Sequence, residues 1–451
     1  MTILPKRILV IGQGGREHAI VRQLALETSV ETVYALPGSD GMKTSDRIQT
    51  IAMNVVPENF EQILRFAKEH AVELIVVGPE QPLADGFTDL ARAQGLRVFG
   101  PSGAGALLEA SKVHAKELMR AAGVLTARSF TVSTVDECME AAKSFAPPYV
   151  LKADGLAAGK GVFIEKTLEG LKRAAHFLFE EKGLGEAGHR ALLEEFSPGV
   201  ELSHLVLTDG DSFVSMPAAR DHKRLCDGDE GPNTGGMGVV APVPLEEGLL
   251  EKIERDVVAP VIREIKKRGL VFRGVLYVGL MLTKDGPSVL EFNTRFGDPE
   301  AQVLMPLLDS ESGPGWNEVL TKTADGELQS IASNVRWLEH RAIACIVLAA
   351  EKYPDKPVKG VAISGLDEKG RLEDAHAYAL HAGTNRRDDG RFATNGGRVL
   401  NVIAYADDAS NSSTVMSEAI RRAYAGTAKI SWPGMQLRKD IGRSLTTSSE
   451  G

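Results

Sequence analysis

Glu291 and Asn293 stand two residues apart in the run VLEFNTRFGDPE (residues 289–300), and Arg295 follows two residues later. On a strand, successive side chains point to opposite faces. Glu291, Asn293 and Arg295 would then share one face, while Leu290 and Phe292 turn the other way into a core. A carboxylate beside an amide carbonyl suits a hard cation such as Mg²⁺, which takes one or two protein oxygens and completes its shell with phosphate and water. The same residues would also suit a surface hairpin with a solvated salt bridge.

Other segments offer phosphate chemistry. Gly12 to Glu17 (GQGGRE) follows a strand pattern and precedes a helical one, where free backbone N–H groups can cradle an anion. It is not a dinucleotide fingerprint: the third glycine of G-x-G-x-x-G would fall on Glu17, and the next strand ends without a ribose-binding acid. Val77, Gly78, Pro79 and Glu80 end a further strand on the same sheet edge. Residues 150–164 (VLKADGLAAGKGVFI) read as two strands joined by a small-residue loop carrying Lys152 and Lys160; such a loop can lie over phosphates or be a plain flexible hairpin. It is no Walker A motif, because Gly161 follows the Gly159–Lys160 pair and a strand replaces the helix. Glu194, Glu195 and Phe196 end an apolar strand before the turn Ser197–Gly199, followed by Glu201. Residues 219–238 form a polar, glycine-rich stretch with Asp221, His222 and Lys223, of the kind that is functional or disordered. His222, flanked by Lys223 and Arg224, reads as a binding or solvated group before a general base.

The elements that must hold these groups are legible. Strand patterns at Arg7–Ile11, Thr32–Leu36, Leu74–Val77 and Arg97–Phe99 alternate with helical ones at Arg16–Leu26 and Phe60–Glu69, which predicts a parallel sheet flanked by helices. A helix is expected over Leu107–Ala122, closed by Gly123. Short strands dominate Tyr149 to Val214, and Gly274–Leu282 with Ser288–Asn293 form a hairpin about Lys284–Gly286. Strands at Ala342–Ala350 and Arg398–Tyr405 precede a helix ending near Ala425. The chain has 451 residues, 43% hydrophobic and 25% charged, the composition of a globular protein with room for about three domains. No apolar run reaches the ~20 residues of a membrane span and no signal peptide is legible, so a cytoplasmic protein is expected. Cys138, Cys226 and Cys345 lack metal or disulfide spacing. The net charge of -9 disfavours nucleic acid as a partner.

In order along the chain, GQGGREHA, GPEQPLADG, FGPSGAGALLEASK, KADGLAAGKGV, LLEEFSPGVELS, DHKRLCDGDEGPNTGGMG, GVLYVGLM, EFNTRFGDPE and NGGRVLNV resemble the ATP-grasp ligases, and among them the phosphoribosylamine–glycine ligase family, nearly end to end. The resemblance implies α/β and α+β domains. They are an N-terminal parallel α/β domain (1–107), a two-lobed ATP-grasp domain (108–330, mobile lid about 126–196) and a C-terminal α+β domain (331–435), before a flexible tail (436–451). It implies ATP with Mg²⁺ or Mn²⁺, the small-molecule substrates glycine and 5-phosphoribosylamine, no nucleic acid, no membrane, and a monomer or weak homodimer. Lys112, Lys152, Gly159, Lys160 and Gly161 would hold the phosphates; Glu194, Glu195 and Phe196 the adenine; Glu201 the ribose; Glu291 and Asn293 the metal. Asp221, Lys223, Arg295, Gly297 and Asp298 would hold glycine and the acyl phosphate, with Lys152, Arg295 and Asp221 catalytic. Gly14, Gly15, Glu17 and Glu80 would line the phosphoribosylamine pocket. Val200 departs from the family, which often has an acid there. Against a biotin carboxylase, a formate-using purine ligase or a nucleotide sensor stand the DHKR and GPNTGGMG segments and the complete set of Glu291, Asn293, Lys112 and Lys152.

Overall fold

The computed structural model describes residues 3–157, 161–408 and 412–446. The expected parallel sheet is present, in the order Ile48–Thr50, Thr32–Pro37, Arg7–Gly12, Leu74–Val77, Val98–Phe99. Its central strands are buried on both faces, as a sheet covered by helices requires. Helix Phe60–Glu69 shows why it packs there: Phe60, Ile63, Leu64 and Ala67 recur at helical spacing and are its buried residues.

Two antiparallel sheets make the central region. One orders Ser129–Val132, Ala191–Glu195, Tyr149–Ala153 and Val162–Glu165; the other orders Phe213–Ser215, Val200–Thr208, Gly274–Thr283 and Gly286–Asn293. Helices interrupt the expected run of strands: Leu168–Phe179 lies within it, capped by Thr167 and burying Leu171, Ala174, Ala175 and Leu178. The helix expected over Leu107–Ala122 is two, Gly103–Ala110 and Lys112–Ala122. Ser111 divides them, because its hydroxyl accepts from the His114 N–H and donates to Asp154, a side-chain competitor of the helical ladder. The break places Lys112 in the first turn of the second helix.

The C-terminal sheet crosses the expected domain boundary. Its order is Arg220–Asp221, Gly238–Ala241, Arg341–Ala349, Arg398–Asp407, Ala377–His381, so two strands from the central region complete it. The expected flexible tail is also corrected over its first part. Gln436 is bridged to Ala349, and Arg438 and Ile441 are each 1% exposed. No helix among the described residues is long and apolar enough to cross a membrane.

The N- and C-terminal regions meet through buried histidines. The His381 backbone N–H donates to His18 Nδ1 at 2.8 Å, while the His381 ring bonds Thr384 Oγ1 and the Gly370 carbonyl, both at 2.8 Å. Burial lowers the pKa of His381 and of His204 to about 4, and holds that of His18 well below its ordinary value. An unfolded imidazole binds its proton near pH 6.5. Between about 6.5 and 4 the unfolded chain therefore holds more protons, and stability is full above that window and falls as pH drops through it. Denaturant titrations should show a midpoint that declines from pH 7 to pH 5, with a slope of up to about 1.4 kcal/mol per pH unit for each imidazole. His204→Gln should flatten the decline; an unchanged slope would clear that histidine of the effect.

Candidate active site

A cleft of about 920 Å³ opens between the lobes. Its base is the hairpin Gly274–Thr283 and Gly286–Asn293, in which Tyr277 faces Asn293 and Gly279 faces Glu291. The register slips between Gly279 and Leu280, which leaves Leu290 without a cross-strand partner. That bulge overturns the expectation that Leu290 points into the core: it is half-buried and lines the cleft, while Phe292, which touches the cleft as well, is 2% exposed and packs in the core as expected. Glu291 and Asn293 do face the cleft. Burial would raise the Glu291 pKa, but Lys223, Lys112, Lys152 and Arg295 outweigh it and hold the carboxyl below its usual range. Asn293 Oδ1 accepts only a long 3.4 Å bond from Arg295.

Lys152 and Glu194 are buried together. Lys152 Nζ lies 2.8 Å from Glu194 Oε2 and donates to the Leu290 carbonyl at 3.1 Å. Lys116 holds the other oxygen, Oε1, at 3.0 Å and donates to Thr126 Oγ1 at 2.6 Å, which in turn donates to the Val289 carbonyl at 2.7 Å. Burial works to raise the Glu194 pKa, and the two lysines bring it below the usual range. The Glu194 carboxylate is thus committed to lysines, so a contact with adenine would fall to its backbone. Lys116 was not among the expected residues, although its signal was present: it stands one helical turn after Lys112 and so shares its face. Lys112 has its pKa lowered by burial, with Glu291 opposing.

On the opposite side of the cleft, Arg295 lies between two acids, with NH2 2.8 Å from Glu109 Oε1 and Nε 3.3 Å from Glu80 Oε2. The second contact is close enough for an ion pair but misaligned for a hydrogen bond. Burial opposes the Arg295 charge, yet Glu109 and Glu80 raise its pKa above the ordinary value. Glu80 is half-buried, which works to raise its pKa, and Arg295 and Arg16 still bring it down to about 2. Of the other N-terminal residues, Arg16 lines the cleft. Glu17 is 2% exposed, accepting from the Gly14 N–H and from Arg16, and a side chain at Gly78 would strike it at 2.2 Å. Gly14, Gly15 and Glu17 therefore shape the loop from behind the wall.

Glu195, Phe196 and Glu201 lie at the rim, Glu195 paired with Arg128 at 2.9 Å and Glu201 with Lys223 at 3.4 Å. Asp221 is half-buried, with its Oδ1 shut off from water and without a partner; burial, then Glu300, keeps its pKa well above the usual range. Lys223 is half-buried, which works against its charge, but Glu201 and Tyr277 keep its pKa well above that of a free lysine. Asp298 lines the wall, held by Gln302 at 2.7 Å and Arg398 at 2.9 Å. Gly297 stands where a Cβ would meet Glu300 at 2.3 Å. Gly161 lines the cleft; Gly159 and Lys160 lie outside the described residues. Arg398 and Tyr353 bring the C-terminal region into the site, Tyr353 Oη accepting from the Gly235 N–H at 3.0 Å. Arg398 lies in the NGGRVLNV segment but was given no role there, and no motif marked Tyr353; the shared sheet carries both to the site.

Family models match the chain in succession: the phosphoribosylglycinamide synthetase N domain over residues 6–109, its ATP-grasp (A) domain over 110–301 and its C domain over 343–444. A phosphoribosylamine–glycine ligase of Ralstonia nicotianae is 41% identical, across 97% of this chain and 98% of the relative. This chain belongs to the phosphoribosylamine–glycine ligase family. Its crystallised Thermotoga maritima member superposes with a TM-score of 0.80 at 34% identity, covering 96% of this chain and 100% of that one. The chain also matches 42% of the length of the trifunctional purine biosynthetic protein adenosine-3 of Gallus gallus, at 42% identity. The biotin carboxylase domain of Hydrogenobacter thermophilus 2-oxoglutarate carboxylase shares the fold at 19% identity and a TM-score of 0.69. As a phosphoribosylamine–glycine ligase family member the chain is an ATP-dependent ligase, with the expected order of N-terminal, ATP-grasp and C-terminal regions.

Replacing Lys116 removes one of the two lysines on Glu194: Lys152 still compensates the charge, but Oε1 is left buried without its partner. Lys116→Met should lower the unfolding free energy by about 1–3 kcal/mol, as read by denaturant titration. Glu194→Gln added to it should cost less than the two single losses summed, whereas a purely additive double variant would deny the pairing.

Proposed function

We propose that the cleft joins glycine to 5-phosphoribosylamine at the expense of ATP, giving glycinamide ribonucleotide, ADP and phosphate by way of glycyl phosphate. The observation that carries this reading is the convergence of Lys112, Lys152, Lys223 and Arg295 around the ionised Glu291. Phosphoryl transfer between two anions needs positive charge fixed on the moving oxygens and little water, since the protein forms no covalent bond.

The residues fit a divalent cation. Glu291 is held as a carboxylate, the Asn293 carbonyl has only a long bond, and among the described residues no group of three or more His, Cys, Asp or Glu forms a closed metal cage. One acid and one amide suit Mg²⁺ or Mn²⁺, bound largely through nucleotide phosphates. When bound, the ion would neutralise charge on those phosphates. Lys112 and Lys152 are placed to hold phosphate oxygens. The Glu195–Phe196 segment is placed for the adenine, and Glu201 for the ribose. Arg295 and Lys223 orient the glycine carboxylate toward the γ-phosphoryl group, which accepts the carboxylate oxygen as ADP leaves. The amine nitrogen of phosphoribosylamine then attacks the acyl carbon; phosphate departs and the nitrogen gives up a proton. Asp221, with its free Oδ1, faces the glycine side of this path. Glu80, beside Arg295 and Arg16, stands at the phosphoribosylamine end. Work in a reducing compartment such as the cytoplasm is the setting that three unpaired cysteines support.

Purified protein should release ADP only when glycine and phosphoribosylamine are both supplied; release with either omitted would point to a different acceptor. Glu291→Gln should depress turnover by roughly a hundredfold or more at saturating Mg²⁺ while circular dichroism stays that of the parent. Undiminished turnover would remove Glu291 from the metal site.

A further inference from the structure

The stretch between Asp221 and Gly238 forms the glycine-side wall of the cleft, where Arg224, Asp229, Asn233, Thr234 and Gly235 line it. Residues 226–232 are exposed and have no core of their own; the short antiparallel pairing of Arg224–Cys226 with Glu230–Asn233 shapes the turn, and bonds to another part of the chain must fix where it sits. Those bonds lead to the C-terminal segment. Arg438 is 1% exposed; its NH1 donates to Asp229 Oδ1 at 2.6 Å and to the Arg224 carbonyl at 3.4 Å, and its Nε and NH2 grip Asp440 at 2.7 and 2.8 Å. Asp440 also accepts from the Gly228 N–H at 2.8 Å, and Asp227 accepts from the Lys439 N–H at 2.7 Å. The Gly442 N–H donates to His222 Nε2 at 3.1 Å, while His222 Nδ1 donates to the Gly238 carbonyl at 3.1 Å. Both ring nitrogens of His222 are thereby used, which leaves it no role as a base. Ile441 closes the contact against Gly238, where a Cβ would come within 2.8 Å of it.

We propose that residues 436–442 are a strap that fixes this wall of the cleft, with Arg438 and Asp440 as positioning residues for Asp221 and Lys223. A buried guanidinium is tolerated only with its acids in place, so Arg438 holds the loop in one arrangement. The inference rests on the ligase reading, in which this wall shields an acyl phosphate from water. With the strap loosened, water competes with the amine: the acyl carbon–oxygen–phosphorus linkage hydrolyses to glycine and phosphate, and ADP forms without amide.

The test is made on the full chain with Arg438→Met, Arg438→Lys and Asp227→Ala, measuring ADP and glycinamide ribonucleotide in one reaction. Amide per ADP should fall from near one to below about one half in Arg438→Met, and KM for glycine should rise roughly tenfold while KM for ATP stays within about twofold. Arg438→Lys should be intermediate, since a lysine keeps the charge without the fork. Hydrogen exchange over residues 226–236 should speed up roughly tenfold without any substrate present. Should Arg438→Met fail to fold, Asp227→Ala, an exposed change that frees only the Lys439 N–H, decides by the same ratio and exchange. Folded variants with parental amide-to-ADP ratio and parental loop exchange would overturn the strap. Failure of the ligase reading looks different: the unaltered chain would then release ADP without both substrates.

Discussion

A carboxylate taken out of water stays ionised only if cations are brought to it, and Glu194 imposes that condition where the two lobes of the central region meet. Lys116 and Lys152 satisfy it from different elements. Both then reach across to the strand that carries Glu291, Lys152 directly to the Leu290 carbonyl and Lys116 through Thr126 to that of Val289. The carbonyls so held belong to the residues just before Glu291, which makes a link between the nucleotide side of the cleft and the residue placed for the metal. Buried ion pairs often add little net stability over apolar packing, but they penalise misalignment heavily. Here the penalty falls on any shift of one lobe against the other.

Charge dominates the rest of the cleft as well. Arg295 sits between Glu80 and Glu109, Arg398 spans Asp298 and the Gly235 carbonyl, and Lys223 faces Glu201. A chain with net charge -9 repels phosphates at long range, so such cations must be fixed at the site by acids behind them. The acids do two things: they keep the cations ionised despite burial and they set where each one points.

The parallel sheet, the metal-strand hairpin and the helix at Phe60–Glu69 were readable because their apolar spacing is local and regular. Glu291 and Asn293 were readable for the same reason, since strand alternation puts them on one face. The Leu290 bulge was not, because nothing in LEF distinguishes a slipped register from a regular one. Helix Leu168–Phe179 was legible in its spacing and its Thr167 cap, but the strand patterns on either side masked it. The break at Ser111 depends on Asp154, far along the chain; Tyr353 and Arg438 reach their partners through tertiary contacts that no local motif announces, and NGGRVLNV does not tell that its Arg398 reaches Asp298.

The shared C-terminal sheet has a consequence for how this chain can be dissected. Gly238–Ala241 is hydrogen-bonded to Arg341–Ala349, and Arg220–Asp221 lies outside it as the edge strand. A fragment beginning after the central region would expose Arg341–Ala349 as an unpaired apolar edge, which invites self-association. Expressed alone, the last quarter or so of the protein is therefore an aggregation hazard, and a useful excision or graft must take residues 220–241 along with it.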